Sequence, residues 1–151
     1  MKLDLEHLFD LAVDFHPMPI YASPLGTRLD AIVRRGTAKG PKLDGEVLPG
    51  GGDWIVVGGD GVARLDIRAT IRTHDGEMIH VTSTGRVVLD DGVRDRFLAG
   101  ETVPRDQMYA RTAPLFETGA DAYRWLNGTV AVGLVVELSL EHIRYEVYAL
   151  S

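Results

Sequence analysis

The dipeptide Asp-Gly recurs at a nearly constant interval along the middle of the chain. It stands at positions 44–45, 60–61, 75–76 and 91–92, with spacings of 16, 15 and 16 residues. Asp-Gly between extended segments is typical of β-hairpin turns, because both residues accept positive φ angles. The interval predicts an antiparallel meander with strands of about 12 residues, longer than usual. Such strands are expected to tilt and close into a barrel, which removes exposed sheet edges.

Apolar and polar residues alternate along the predicted strands, as expected where one face of a sheet is buried. The clearest case is "VARLDIRATIRT" at 62–73. Further strands are predicted at 9–15, 27–35, 43–48, 53–58, 77–89, 108–117, 128–139 and 142–150. Segment 121–127 is typical of a short helical turn, and 90–107 of a long loop with room for one helical turn. The prediction is an all-β chain, with a single antiparallel barrel domain over 1–151 and about nine strands.

Composition narrows the class of protein. A formal net charge of −6, with arginines scattered among acids, argues against a nucleic-acid partner. The lack of cysteine excludes disulfides, thiolate metal sites and a cysteine nucleophile. The first ten residues contain acids where a signal peptide is apolar. The longest apolar run, 129–138, is about half of a membrane span, so we expect a cytoplasmic protein without a membrane partner.

The register of the central hairpin can be predicted. A three-residue loop at 74–76 places Ile71 opposite Ile79 on one face and Arg68 opposite Thr82 on the other. A two-residue loop mixes polar and apolar residues on both faces. Because a one-residue slip inverts a strand, the first register is preferred.

The stretch "GPKLDGEVLPGGGDW" (40–54) places three glycines directly before an acid and a tryptophan. A three-residue loop at 59–61 puts Trp54 beside Asp66 on the polar face. The glycines let the chain bulge just before it. The bulge also re-aims Asp53, so the pattern does not decide which face that carboxyl joins.

Two orientations of the strands follow. In one, the apolar face fills the core and the polar face is solvated, which the pattern alone favours. In the other, the polar face lines a lumen. A tryptophan on a solvated strand, and the compact set of donors and acceptors around it, favour the second orientation. That set comprises Asp66, Arg68, His80, Thr82 and Thr84, beside Trp54.

The segment "YARTAPLFETGADAYRWLNG" (109–128) is rich in aromatic residues. One interpretation is a hydrophobic plug that closes one end of the barrel, formed by Phe116, Tyr123, Trp125 and Leu126. The other makes Tyr109, Arg111 and Glu117 lumenal. Desolvation would then raise the pKa of the Glu117 carboxyl, unless Arg111 or Arg68 pairs with it.

Together, "GPKLDGEVLPGGGDW", "DGVARLDIRATIRTHDGEMIHV" and "YARTAPLFETGADAYRWLN" resemble the bacterial and fungal domain-of-unknown-function family 3237, also called uncharacterised protein family 0311. The resemblance implies a small β-barrel of the allene-oxide-cyclase or lipocalin-like type, often a homo-oligomer, with no established activity. Among its motif positions, five lack an equally simple structural explanation: Asp53, Trp54, Arg68, Glu117 and Asn127.

Other chemistries fit less well. The five histidines are dispersed and form no paired ligand motif, so no metal is expected. No Gly-x-Ser-x-Gly elbow is present, and no glycine-rich segment opens a predicted helix. A general acid–base site built from carboxyls, an arginine and a tyrosine is favoured.

The first hypothesis is therefore a cofactor-independent isomerase, cyclase or lyase acting on a small, partly aromatic or polyketide-like molecule. Asp53 or Glu117 moves a proton, and Arg68 stabilises developing oxyanion charge. The residues expected to bind substrate are Trp54, Asp66, His80, Thr82, Tyr109, Arg111, Trp125 and Asn127. The second hypothesis is a carrier barrel without turnover, and the third is a structural subunit. The first two require Asp53, Arg68 and Glu117 to converge in one enclosed pocket.

Overall fold

A computed structural model describes residues 1–151 and consists mainly of strands. The strands are β1 (Leu5–Phe15), β2 (Ile20–Ser23), β3 (Gly26–Lys39), β4 (Asp44–Val47), β5 (Gly52–Val57), β6 (Val62–Thr73), β7 (Met78–Val88), β8 (Val103–Pro104), β9 (Tyr109–Glu117), β10 (Ala131–Leu138) and β11 (His142–Leu150). The helices are α1 (Asp91–Leu98) and two 3-10 segments, Arg105–Gln107 and Asp121–Gly128. None of the helices has the length and apolar character needed to cross a membrane.

The strands close into an antiparallel barrel with eight strand positions. The order is β1, β11, β10, β9, β7, β6, then β4 and β5 together, then β3, which returns to β1. The predicted all-β barrel is confirmed. The pattern misses β2 and β8, because four and two residues are too short to show a period.

The predicted register of the central hairpin is also confirmed. Ile71 lies opposite Ile79, and Arg68 lies opposite Thr82. Gly76 and Gly61 have φ angles of +87° and +77°, as the two Asp-Gly turns require.

The other two Asp-Gly pairs are not hairpin turns, and that prediction is wrong. Gly45 lies inside β4, where a Cβ atom would stand 2.4 Å from the Arg72 carbonyl oxygen. It permits a close approach of two strands rather than a turn. Asp91 and Gly92 form the first turn of α1, which Asp90 caps by accepting a hydrogen bond from the Val93 amide at 2.8 Å.

The glycine run interrupts one strand position, as the predicted bulge requires. β4 and β5 both pair with β3 and β6, and residues 48–51 between them leave the ladder. Gly50 has a φ of +99°, and a Cβ on Gly51 would lie 2.6 Å from the Arg68 carbonyl oxygen. After the interruption Asp53 points into the barrel and Trp54 points outward.

The apolar face of the strands forms the interior, so the predicted polar lumen is wrong. One end of the barrel is filled by a core that includes Phe9, Ile71 and Ile79, each at most 1% exposed. Phe116, Tyr123 and Leu126 close that end, which confirms three members of the predicted plug. Trp125, the fourth, is 40% exposed and lies outside it. The opposite end, beside α1, is packed less completely.

Candidate functional site

The barrel interior is hollow between its middle and α1. An outer cavity of about 320 Å³ lies there, with mostly hydrophobic walls from β3, β5, β6, β7 and α1. An inner chamber of about 50 Å³ continues from it towards the plugged end. Phe15, Asp53, Leu65 and Ile143 line both spaces. The two spaces therefore form one lumen, with Asp53 at the junction.

The side chain of Asp53 is fixed by a hydrogen bond from the backbone of the neighbouring strand β6. β5 pairs with β6 at Asp53 and again at Val56, but not at the two residues between them. Across that gap the Asp66 amide donates a hydrogen bond to Asp53 Oδ1 at 2.9 Å. The carboxyl group thus replaces a backbone acceptor and is fixed towards the lumen.

Burial raises the pKa of Asp53 to about 7. The hydrogen bond from the Asp66 amide opposes this shift, while the nearby Asp66 carboxylate adds to it. The remaining accessible surface of Asp53 faces the lumen. At neutral pH both protonation states are populated, so this group can donate a proton or accept one.

Two hydroxyl groups accompany Asp53 in the inner chamber. Tyr145 and Thr112 line it, and the other walls are mainly aliphatic. Burial and the Asp53 charge raise the pKa of the Tyr145 hydroxyl, which therefore stays protonated. The sequence pattern offers a signal for Thr112, because it shares the inward face of β9 with Ala110 and Phe116. A polar residue on an apolar face marks such a position.

The outer cavity carries one cation. Arg94 on α1 contributes to its wall and forms an ion pair with the Asp91 carboxylate at 2.7 Å. Arg94 and Asp53 are the two charged side chains lining this space. A ligand bound there meets a cation at the α1 end and a titrating carboxyl in the middle of the barrel.

The structure does not bring the other predicted site residues to the lumen. Arg68 and Asp66 lie on the outer face, with side chains 61% and 58% exposed and 3.8 Å between their charged atoms. Arg68 and Glu117 therefore do not converge with Asp53, and the enzyme and carrier hypotheses are wrong in the form that requires these three residues in one pocket. The residues outside the lumen are Trp54, Asp66, Arg68, His80, Thr82, Tyr109, Arg111, Glu117, Trp125 and Asn127. Those on strands lie on the faces that point away from the apolar core, and Trp125 and Asn127 lie in the 3-10 segment Asp121–Gly128.

Several of these residues have visible structural partners. The Asn127 side chain accepts a hydrogen bond from the Thr118 amide at 2.8 Å and donates one to the Thr118 carbonyl at 2.9 Å. It braces the plug against the end of β9. The Arg111 guanidinium stacks over the Tyr109 ring at 5.0 Å on the outer surface.

Ser139, His142 and Glu137 are arranged like the catalytic triad of a serine hydrolase, but they stabilise a turn. Ser139 Oγ lies 3.0 Å from His142 Nδ1, and His142 Nε2 lies 3.6 Å from a Glu137 carboxylate oxygen. However, Ser139 is 4% exposed, and its hydroxyl accepts hydrogen bonds from two backbone amides of the β10–β11 turn. That arrangement caps a hairpin and offers no access for an acyl group. No three His, Asp or Glu side chains are grouped closely enough to form a metal site.

The sequence matches a protein family and several related proteins. A family described as "Protein of unknown function (DUF3237)" matches residues 3–150. A UPF0311 protein from Clostridium acetobutylicum is 33% identical over 116 residues, covering 77% of this chain and 73% of that protein. The resemblance noted in the sequence is confirmed.

Solved structures agree with the fold. The crystal structure of a conserved protein of unknown function from Rhodopseudomonas palustris has a TM-score of 0.93 at 24% identity, covering 100% of this chain and 99% of that one. That likeness concerns the fold alone.

An enzyme is among the more distant relatives. The hydroalkoxylation enzyme phnH of Penicillium herquei is 29% identical over 131 residues, covering 86% of this chain and 72% of that protein. The crystal structure of an enzyme from the same organism has a TM-score of 0.77 at 27% identity, covering 100% and 96% of the two chains.

Proposed function

The chain belongs to the DUF3237 family, and we propose that it binds a small, largely apolar molecule in the barrel lumen and transfers a proton to or from it through Asp53. One observation carries the proposal: a fixed carboxyl with a pKa of about 7 in a mostly apolar lumen. Matching the pKa of a catalytic acid to the working pH is how enzymes gain most from proton transfer. The assignment moves the chemistry from the outer polar face to the interior.

The size and lining of the lumen favour a small, largely apolar substrate. A volume of about 320 Å³ lies at the lower end of the usual range for small-molecule pockets, and such pockets have apolar walls with few polar groups. The related hydroalkoxylation enzyme supports a reaction class in which a hydroxyl group adds to a carbon–carbon double bond.

Asp53 can act as the acid in the first step of such an addition and as the base in the second step. Its protonated carboxyl delivers a proton to one alkene carbon, which breaks the π bond and forms a C–H bond. The substrate hydroxyl then attacks the other carbon, forms the C–O bond and returns its proton to the carboxylate. The carboxyl group of Asp53 is protonated again at the end of the reaction, so no co-reactant is consumed.

A direct test uses 2-prenylphenol, which carries both a hydroxyl and an alkene on one ring. We expect cyclised product from the wild-type protein, with one solvent deuterium on carbon when the reaction runs in D2O. Asp53→Asn should lower the rate by about 10²–10⁴-fold, the usual contribution of a general acid–base group. Arg68→Ala and Glu117→Gln are matched controls on the outer face and should retain activity. Activity that survives in Asp53→Asn but is lost in Arg68→Ala contradicts the assignment.

A carrier without turnover is the second candidate, and the apolar walls of the lumen favour it. A carrier is expected to bind hydroxylated aromatic molecules equally well with aspartate or asparagine at position 53. It should release them chemically unchanged and without deuterium, which mass spectrometry of the recovered ligand detects.

A further inference from the structure

Thr112, one of the residues that line the inner chamber, carries a hydroxyl group that the protein leaves without a partner. Thr112 is 4% exposed, and its Oγ1 is the one buried side-chain nitrogen or oxygen atom that makes no hydrogen bond. Leaving a buried polar atom unpaired costs about 1–3 kcal/mol. A valine has nearly the same shape and avoids that cost, so folding alone does not account for a threonine here.

The hydroxyl of Tyr145, a partly buried residue, is a second polar group near this space. It lines the inner chamber with Thr112, and no side-chain hydrogen bond of the chain involves it. Because this hydroxyl stays protonated, it is a permanent hydrogen-bond donor facing the chamber.

Strand β10 lies between the strands that carry these two residues, and it has a glycine where a side chain would fill the space beside them. Gly133 on β10 lies opposite Thr112 on β9. A Cβ atom on Gly133 would lie 2.1 Å from Thr112 Oγ1 and 3.4 Å from a ring carbon of Tyr145. The absence of a side chain at this position lets the threonine hydroxyl and the tyrosine ring occupy neighbouring space.

From this arrangement we infer that the inner chamber is an oxygen-binding subsite, in which Tyr145 and Thr112 hold a hydroxyl or carbonyl oxygen of the ligand. The inference rests on the proposed function and gives the ligand a direction. Its oxygen enters the inner chamber, and its apolar body fills the outer cavity. Asp53 lines both spaces and therefore lies beside the atoms next to that oxygen. The substrate class is a phenol, alcohol or ketone whose oxygen is terminal on a mainly hydrocarbon frame.

A pair of matched probes tests the direction. Crystals are soaked separately in 4-iodophenol and 4-iodotoluene, which differ by a hydroxyl in place of a methyl group. The anomalous signal of iodine fixes the orientation of each molecule. We expect the phenol oxygen within hydrogen-bond distance of Tyr145 and Thr112, and its iodine in the outer cavity.

Solution affinities supply the second readout. The wild-type protein should bind 4-iodophenol about tenfold more tightly than 4-iodotoluene, as expected for hydrogen bonds made in a buried site. Tyr145→Phe and Thr112→Val should each reduce this preference while leaving the affinity for 4-iodotoluene unchanged. Thr84→Val, on the outer face of β7, is the control and should change neither affinity.

Three results would overturn the subsite: equal affinities for the two probes, a preference that survives in Tyr145→Phe, or a phenol oxygen turned away from a chamber that holds only water. These results are separable from a failure of the proposed function. If Asp53→Asn abolishes turnover while the probes bind in the wrong direction, only the subsite falls. If the probes bind as expected and Asp53→Asn keeps full turnover, only the role of Asp53 falls.

Discussion

The unusual property of Asp53 is that folding favours its neutral form. Its pKa rises from 3.8 to about 7 in the folded protein, so the folded state keeps the proton over a range in which the unfolded state loses it. The free energy of unfolding contributed by this group is therefore present at low pH. It is lost as pH rises from about 4 to about 7, and it amounts to at most about 4 kcal/mol.

Asp53→Asn should remove this pH dependence. The amide keeps an oxygen for the Asp66 amide hydrogen bond and carries no charge. We expect the variant to be more stable than the wild type above pH 7, by about 2–4 kcal/mol, and to match it more closely near pH 4. Thermal unfolding between pH 4 and 8.5 measures the difference. A constant difference across that range would show that Asp53 does not titrate as described.

The Asp66 carboxylate on the outer face offers a second way to change the pKa of Asp53. Because its negative charge contributes to the raised pKa of Asp53, Asp66→Asn should lower that pKa, although burial still keeps it above the ordinary value. Carbon-13 NMR titration of the Asp53 carboxyl reports the shift directly. Glu117→Gln removes a charge from the outer face without such an effect and serves as the control.

Among the elements, the interrupted strand position formed by β4 and β5 sets which part of β6 lies beside Asp53. Val47 and Asp53 both face the interior, and the interruption at 48–51 shifts the pairing along β6 by two residues, from Val47 opposite Ile71 to Asp53 opposite Ile67. Gly51 is central because its Cα approaches the backbone of β6 more closely than a side chain permits.

Gly51→Ala should therefore destabilise the fold by about 2–3 kcal/mol, since its methyl group would displace backbone rather than a flexible side chain. It should also change the pKa of Asp53, two residues away. Gly59→Ala is the matched control, because a Cβ on Gly59 has nothing within 4 Å. Chemical denaturation compares the two variants, and equal stabilities would contradict the close approach described.

The sequence predicts some elements much better than others, for physical reasons. Period-2 alternation decides the register of β6 and β7, because one slip would bury Arg68. At Asp53 the sequence alone leaves the facing open because of the preceding glycines, although the period counted back from Val57 and Ile55 gives the inward facing that is observed. Asp-Gly predicts a turn only where the chain needs one, and at Gly45 the missing side chain serves strand packing instead. The pattern marks Thr112 as a polar residue on the apolar face of β9, but it cannot show that the hydroxyl of Thr112 or of Tyr145 lacks a partner.

At the scale of the whole molecule, the cavity in one half of the barrel leaves out apolar contacts that would otherwise stabilise the fold. Ala63 on β6 lines the outer cavity, so Ala63→Leu should fill part of it. We expect a gain of about 1–2 kcal/mol from the added buried methylenes, together with loss of ligand binding. Ala113→Leu, on the exposed face of β9, is the control and should change neither property. Calorimetric unfolding and probe titration read out both effects.

Self-association of the barrel remains a prediction. The outward position of the residues first assigned to the site leaves a broad, mainly polar outer face on β6, β7 and β9. Sedimentation equilibrium of the wild-type chain measures the number of copies. A monomer at all concentrations would contradict the homo-oligomer that the family resemblance implies.

The pairing of β1 with both β3 and β11 has a consequence for synthesis of the chain. On the ribosome, residues 1–138 can emerge and still leave two unsatisfied sheet edges, because β11 alone joins them. Tyr145 and Ile143 belong to that same last strand, so neither compartment of the lumen exists before it is translated. A small molecule therefore cannot template early folding, and a nascent chain stalled before residue 142 is expected to be the most aggregation-prone form of this protein.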